Sequence, residues 1–172
     1  MKKIQRDLGI TTILVTHDQA DAFAVGDRIV VIHKGKVIQV GEPKELYEEP
    51  ADLFIASFIG DPPMNILDWS IVKSIEGLDL IRIPEGSKIG IRPDEASASV
   101  EEARAKYRLK GTVEFVETAG SRDYAIINVS GHMVKALVKP GDSLKPGDTA
   151  HIALKRLYIF SPDGSRIATL RE

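Results

Sequence analysis

The spacing of apolar residues changes character near residue 60. Before that point they fall in helical spacing or short continuous runs; beyond it they form brief β-type runs divided by Gly and Pro turns. Ile4 and Leu8, flanked by Lys2, Lys3, Gln5 and Arg6, predict the last turns of an amphipathic helix ending at Gly9. Ile13-Leu14-Val15 shows no alternation, the pattern of a strand buried on both faces of a parallel sheet. Thr16 and Gln19 stand in capping-box spacing and predict a helix from about His17 to Val25. Residues 28–32 and 37–40 predict a β-hairpin turned by His33-Lys34-Gly35-Lys36. Pro43 opens a further helix toward Pro50. Residues 52–60 predict a short apolar helix stopped by glycine.

Asp61-Pro62-Pro63-Met64-Asn65 reads as a rigid hinge, because two prolines fix φ and remove donors. The domain boundary is placed there: residues 1–60 on one side, a 61–65 linker, and 66–172 on the other. Strands are expected over 66–72, 78–83, 88–92, 109–116, 124–129, 132–138, 149–154 and 157–160. The Ala- and Glu-rich stretch 97–106 is expected as a short helix or an excursion. So many short strands at close spacing predict an all-β barrel or sandwich.

Composition narrows the classes. The 172 residues suffice for one medium domain or two small ones. Lys+Arg 23 against Asp+Glu 25 leaves a net charge of -2, so no overall field favours nucleic acid or an anionic membrane. Aromatic residues, at 6%, are too few for a stacking platform on single strands. The absence of cysteine removes disulfides, thiolate metal sites and cysteine nucleophiles together. No apolar run approaches the roughly 20 residues that span a bilayer, so no direct membrane insertion is expected and membrane association would go through a partner.

His17 is the main candidate for chemistry. In an α/β sheet the ligand crevice lies at the carboxyl ends of the strands, where the predicted strand would deliver it. A helix N-terminus there would favour anions, and a neutral imidazole could donate one N–H to a phosphate oxygen. His17 and Asp21, four residues apart, could form half of a metal site, with no third ligand in register. Asp18 complements the helix dipole or orients His17. Arg92 is expected to pair with a carboxylate between β segments, or less favourably to contact a ligand. His33, His132 and His151 fall in separate turns or strands and read as surface or rim residues.

The string Val15-Thr16-His17-Asp18-Gln19, continued by Ala22 and Gly26-Asp27-Arg28-Ile29, resembles the switch-histidine segment of ATP-binding-cassette (ABC) ATPases, in particular importers of the sugar and polyamine type. The run from Gly26 to Phe58-Ile59-Gly60 resembles the tail of the same nucleotide-binding domain. Gly90-Ile91-Arg92-Pro93-Asp94, Leu144-Lys145-Pro146-Gly147-Asp148 and Ile159-Phe160-Ser161-Pro162-Asp163-Gly164 resemble its OB-like regulatory domain with a TOBE-type segment. The resemblance implies that His17 contacts the γ-phosphate of ATP at a dimer interface. It further implies ATP and Mg as cofactors of the intact parent, and as partners a second copy and membrane-spanning permease subunits. The place would be cytoplasmic, peripheral at the inner membrane face. Gly120-Ser121, beside Arg122, sits where related segments form a loop that in some members binds small oxyanions.

The chain carries no G-x-x-x-x-G-K-[ST] phosphate loop, no LSGGQ-like signature and no apolar strand ending in Asp-Glu. The expectation is therefore an α/β remnant of a nucleotide-binding domain followed by an all-β OB-like/TOBE barrel, inactive alone, binding no cofactor, and associating through its N-terminal segments. The contrasting reading is a stand-alone β module that senses a small molecule or oxyanion.

Overall fold

A computed structural model describes residues 2–78, 83–102 and 104–172. The first part contains α1 (Lys2–Leu8), α2 (Gln19–Val25), the hairpin strands β1 (Ile29–His33) and β2 (Lys36–Gly41), α3 (Pro43–Glu48) and α4 (Leu53–Phe58). Then come β3 (Asn65–Asp68), β4 (Lys88–Ile91), β5 (Ala96–Ser99), β6 (Tyr107–Ala119), β7 (Arg122–Val129), β8 (His132–Val138), β9 (Thr149–Leu154), β10 (Arg156–Phe160) and β11 (Arg166–Arg171).

Strands β5 to β9 close into a barrel of order β5-β8-β7-β6-β9. β6, β7 and β8 form a meander, and β9 returns beside β6, which makes a Greek key. β5 seals the gap by running antiparallel to β9 and parallel to β8. Five strands in a closed Greek-key order are an OB-like barrel. Its interior takes alternate residues from each strand, mixing Ala96, Ala98, Ala125, Ala136 and Ala150 with Ile127, Val134, Ile152 and Leu154, all buried. Two tight loops match the strand twist: Ser130 and Gly131 both have positive φ between β7 and β8, while between β6 and β7 only Gly120 does.

The second sheet, β11-β10-β4-β3, lies between barrel and helices. β10 shows why. Leu157 and Ile159 join the barrel core, whereas Tyr158 and Phe160 point to the other face and pack with Met64 and Ala56 of α4. Both faces are buried, which explains a run of apolar residues without polar alternation. Asn65 ties the layers together: its side-chain amide donates to Lys135 O at 2.9 Å and accepts from Lys135 N at 2.8 Å. That amide occupies the edge of β8 just before its pairing with β5 begins at Leu137.

Several expectations are corrected. Residues 10–16 form no strand, and Ile13 and Val15 are 88% and 91% exposed. A central parallel strand needs partners on both edges, and among the described residues the only neighbouring strands, β1 and β2, are paired to each other. The run expected as a strand over 66–72 is a strand only to Asp68; Trp69–Ser74 turns into a 3-10 helix that buries Ile71. The stretch expected as a short helix or an excursion begins as a strand, because 96–99 supply the strand that closes the barrel. The strand expected over 78–83 falls largely on 79–82, outside the described residues. β11 is an added strand whose pattern the sequence did not flag. Met64, in the expected hinge, is buried against Tyr158 and Phe160.

Gly111 lies where β6 passes from pairing with β9 to pairing with β7. A Cβ there would stand 2.4 Å from the main-chain oxygen of Asn128, which cannot move without shifting β7. Gly111→Ala is expected to destabilise the barrel by about 1–3 kcal/mol, read as a lower urea midpoint at unchanged m-value.

Candidate functional site

His17 sits fully outside the helix that follows it, on an exposed turn. The capping residue is Asp18: its carboxylate accepts from Ala20 N at 2.7 Å and Asp21 N at 3.2 Å. Thr16 makes a smaller contribution, its hydroxyl accepting from Asp18 N at 2.9 Å. This corrects the expected start of the helix from about His17 to Gln19. It also alters the electrostatics. The free N–H groups that would have drawn an anion are taken by a carboxylate of the chain itself, so the turn offers the His17 ring and not the helix end.

Gln19, freed from capping, reaches across the fold. Its Nε2 donates to Phe58 O, and its Oε1 accepts from Gly60 N at 3.1 Å. A mostly apolar recess of about 250 Å³ lies beside this contact, lined by Gln19, Ala20, Phe23, Tyr47, Gly60 and Asp61.

Under that recess lies Arg92, wholly buried. The expected carboxylate partner is not what holds it. Nη2 donates to Tyr47 O at 2.9 Å, and Nη1 donates to Ala56 O at 3.3 Å and to Ile59 O. These carbonyls belong to the ends of α3 and α4, where helices leave acceptors unpaired and the dipole is negative. The guanidinium carbon also stands 4.1 Å from the centre of the Tyr47 ring. Burial lowers the arginine pKa, opposed by the neighbouring Tyr47, Tyr158, Asp94 and Glu95, and a guanidinium stays charged regardless. Tyr47 donates its hydroxyl to Asp94 at 2.8 Å, and burial together with that bond holds the phenol well above its ordinary pKa. Nothing in the sequence marked Tyr47 or Gln19 as partners in this assembly, since each contact spans about forty residues or more.

The remaining candidates lie apart. Asp21 is exposed one turn along α2, and among the described residues no cluster of three or more His, Asp or Glu side chains could hold a metal ion. His33 lies tilted against Phe54 with ring centroids 4.1 Å apart, and His132 shares a hydrogen bond with Ser70 at 3.0 Å. His151 lies in β9, between the inward-facing Ala150 and Ile152. Gly120-Ser121 is the tip of the β6–β7 hairpin, and the Arg122 beside it bonds Tyr124. A wide cleft of about 880 Å³ opens beside β5, where Lys139 faces Glu101 at 3.9 Å and Arg108 pairs with Glu76 at 2.6 Å. Lys139 and Arg108 are thus each met by a carboxylate.

No family model matches the chain. Curated relatives do. The sn-glycerol-3-phosphate import ATP-binding protein of Rhizobium johnstonii is 38% identical over 143 residues, covering 82% of this chain and 41% of the relative. The trehalose/maltose import ATP-binding protein of Thermococcus litoralis is 34% identical over 183 residues, covering 93% and 49%. The sn-glycerol-3-phosphate import ATP-binding protein of Vibrio cholerae is 35% identical over 181 residues, covering 96% and 48%. The chain is homologous to ABC-importer ATP-binding proteins. It spans about half the length of the import ATP-binding proteins it matches. Among solved structures, a cytoplasmic molybdate-binding protein overlaps 45% of this chain and 62% of its own at 18% identity, with a TM-score of 0.35. Among the described residues no helix is long and apolar enough to cross a membrane.

The half-buried ionic group Glu95, close to Arg92 in the chain, sets a pH dependence. Burial raises the Glu95 pKa, opposed by Arg156, whose Nε stands 3.2 Å away; one carboxylate oxygen, Oε2, has no hydrogen-bond partner. With its pKa raised in the folded state, Glu95 binds more protons folded than unfolded just above its ordinary value of 4.5. Its contribution to stability is therefore full below that value and is lost as pH rises through the folded pKa. Glu95→Gln is expected to flatten the loss of stability over that mildly acidic range, measured as urea midpoints across pH.

Proposed function

We propose that this chain is the C-terminal portion of the ATP-binding subunit of an ABC importer. The observation that supports it is similarity to import ATP-binding proteins extending over as much as 98% of the chain. On this reading residues 1–60 belong to the nucleotide-binding domain, 61–65 connect, and 66–172 are a regulatory β domain. Trehalose, maltose and glycerol phosphate are named for relatives only, and the solute imported here follows from the subunits that bind and pass it. The partners are permease subunits at the inner face of the membrane and a second copy of the subunit.

His17 is the residue assigned to nucleotide. Exposed on its turn and uninvolved in capping, its ring is free to donate to the terminal phosphate of ATP. The phosphate grip and the magnesium ligands are not among these 172 residues, which contain no phosphate-loop motif. ATP when bound supplies the hydrolysable bond; this chain supplies one donor to its end. In a longer protein that carries the phosphate loop, His17→Ala is expected to lower ATP turnover at least about a hundredfold with nucleotide affinity nearly unchanged. Wild-type turnover in that variant would overturn the assignment. The 172-residue chain alone is expected to hydrolyse ATP no faster than its own His17→Ala variant.

The second copy has a surface to meet. One face of the β1–β2 hairpin carries Val30, Ile32, Val37 and Val40, all exposed, with Ile13 and Val15 also uncovered. Val30 stands opposite Val40 and Ile32 opposite Val37, so these are cross-strand pairs forming one apolar strip. Self-association through this strip is expected, visible as a dimer by light scattering at high micromolar concentration. Ile32→Lys should shift the distribution to monomer; a wild-type monomer at that concentration refutes the contact.

A further inference from the structure

We propose that Gln19 and Arg92 act together as positioning residues, locking the His17 turn to the β region through one shared segment, residues 56–60. The proposal rests on the reading of His17 as the phosphate contact, and neither residue is itself offered as a contact to nucleotide.

The two side chains grip that segment from different sides. Gln19 takes Phe58 O and Gly60 N; Arg92 takes Ala56 O and the intervening Ile59 O. Polar groups of successive residues thus alternate between the α2 side and the β side. Gly60 makes the junction close-fitting. Its φ is +118°, and a Cβ would fall 2.7 Å from the Arg92 guanidinium and 3.1 Å from the Tyr47 ring. The segment cannot slide without displacing Arg92, nor can Arg92 withdraw without leaving Ile59 O and Tyr47 O unpaired.

Each end of the link is anchored. On one side Gln19 is the first residue of α2, and Asp18, which joins it to His17, is pinned by its own capping bonds. On the other side Arg92 leads through Pro93–Glu95 into β5, the strand that seals the barrel; Glu95 N donates to Arg92 O at 3.0 Å and Lys155 N to Glu95 O at 2.9 Å. A displacement of the barrel seam therefore reaches the turn of His17 through four hydrogen-bonded steps, Lys155 to Glu95, Glu95 to Arg92, Arg92 to Ile59 and Gly60 to Gln19. This would let the state of the β region set where the histidine stands.

Lysine cannot replace arginine here. It is a single point charge, whereas the guanidinium fork reaches the carbonyls of both helices at once. The test uses the whole 172-residue chain without nucleotide, so its outcome is separate from that of the His17 turnover experiment. Amide spectra are recorded for Arg92→Lys, Gln19→Ala and the double variant. Arg92→Lys is expected to shift the amides of Gly60 and also those of Asp18, Gln19 and Ala20, leaving the Ile127 and Val134 amides within the barrel in place. Gln19→Ala should speed exchange of the Gly60 amide about fivefold, as the oxygen that accepts its hydrogen bond is lost. In the double variant the shifts at Asp18 and Ala20 should match those of Gln19→Ala alone, because a link already cut transmits nothing further. Additive shifts, or a Gly60 change that stops short of residues 18–20, would overturn the proposal. Should Arg92→Lys fail to fold, Gln19→Ala at the partly exposed end is read at the Arg92 Nε–H resonance. A shift there supports the link, and an unmoved resonance refutes it.

Discussion

A single buried cation organises the contact between the two parts of this chain. Arg92 is surrounded by main-chain oxygens and an aromatic face, with no carboxylate in hydrogen-bond contact. Taking a charge out of water costs several kcal/mol unless its donors are met, so the arrangement succeeds only if α3 and α4 end side by side. Their C-terminal carbonyls are unpaired by construction and carry the negative end of each dipole. The helix ends supply acceptors to Nη1 and Nη2, while Nε has no hydrogen-bond partner, and the arginine supplies the donors that the helix ends lack. Asp94 and Glu95 stand near enough to offset the charge at longer range.

The rest of the packing follows from that docking. Once α4 is held by its C-terminus, Ala56 faces Tyr158 and Phe160 across Met64. The four-stranded sheet then has a cover on the side away from the barrel, and β10 can be apolar on both faces. Gly90 contributes by having no side chain: a Cβ there would meet Met64 Sδ at 2.4 Å. Helix, sheet and barrel form three layers in which the middle one belongs to both cores.

Legibility in the sequence tracked how local each decision was. The β1–β2 hairpin was read correctly because Lys34 and Gly35 satisfy a two-residue turn on their own, both at positive φ. α3 was legible from Pro43 at its first position, and α4 from its terminal glycine. The barrel strands β6 to β9 followed from alternation and turn residues. β5 was not legible: Ala96-Ser97-Ala98-Ser99 has no strong strand former, and its conformation is imposed by β8 and β9 on its flanks. Ile13-Leu14-Val15 failed for the converse reason, a run with strand character that finds no ladder to join. At the site, a capping box was inferred from Thr16 and Gln19, but the cap is Asp18, whose carboxylate takes Ala20 N and Asp21 N two and three residues further on, while Thr16 takes only Asp18 N. That substitution of one cap for another is what released Gln19 for Phe58 and Gly60, a contact forty residues away that no local pattern announces.

The two parts also differ in how completely they are closed. From β3 onward, apolar side chains are consumed by the barrel and by the sheet beside it, and the exposed large ones are scattered. Before Phe58 they are more numerous: the outer strip of the hairpin, the 10–15 segment, and Ile4 and Leu8 of α1. A hairpin of two strands is marginal by itself in water. Here its inner face is secured through Val31, Leu46, Ile55 and Ile59, a cluster held in turn by the end of α4. The hairpin thus owes its order to the same helix end that Arg92 grips, while its outer face has no cover within the described residues. The α4 terminus is therefore the point where the closed β part lends stability to the open one, and where a cover docking on the hairpin would be felt by the barrel.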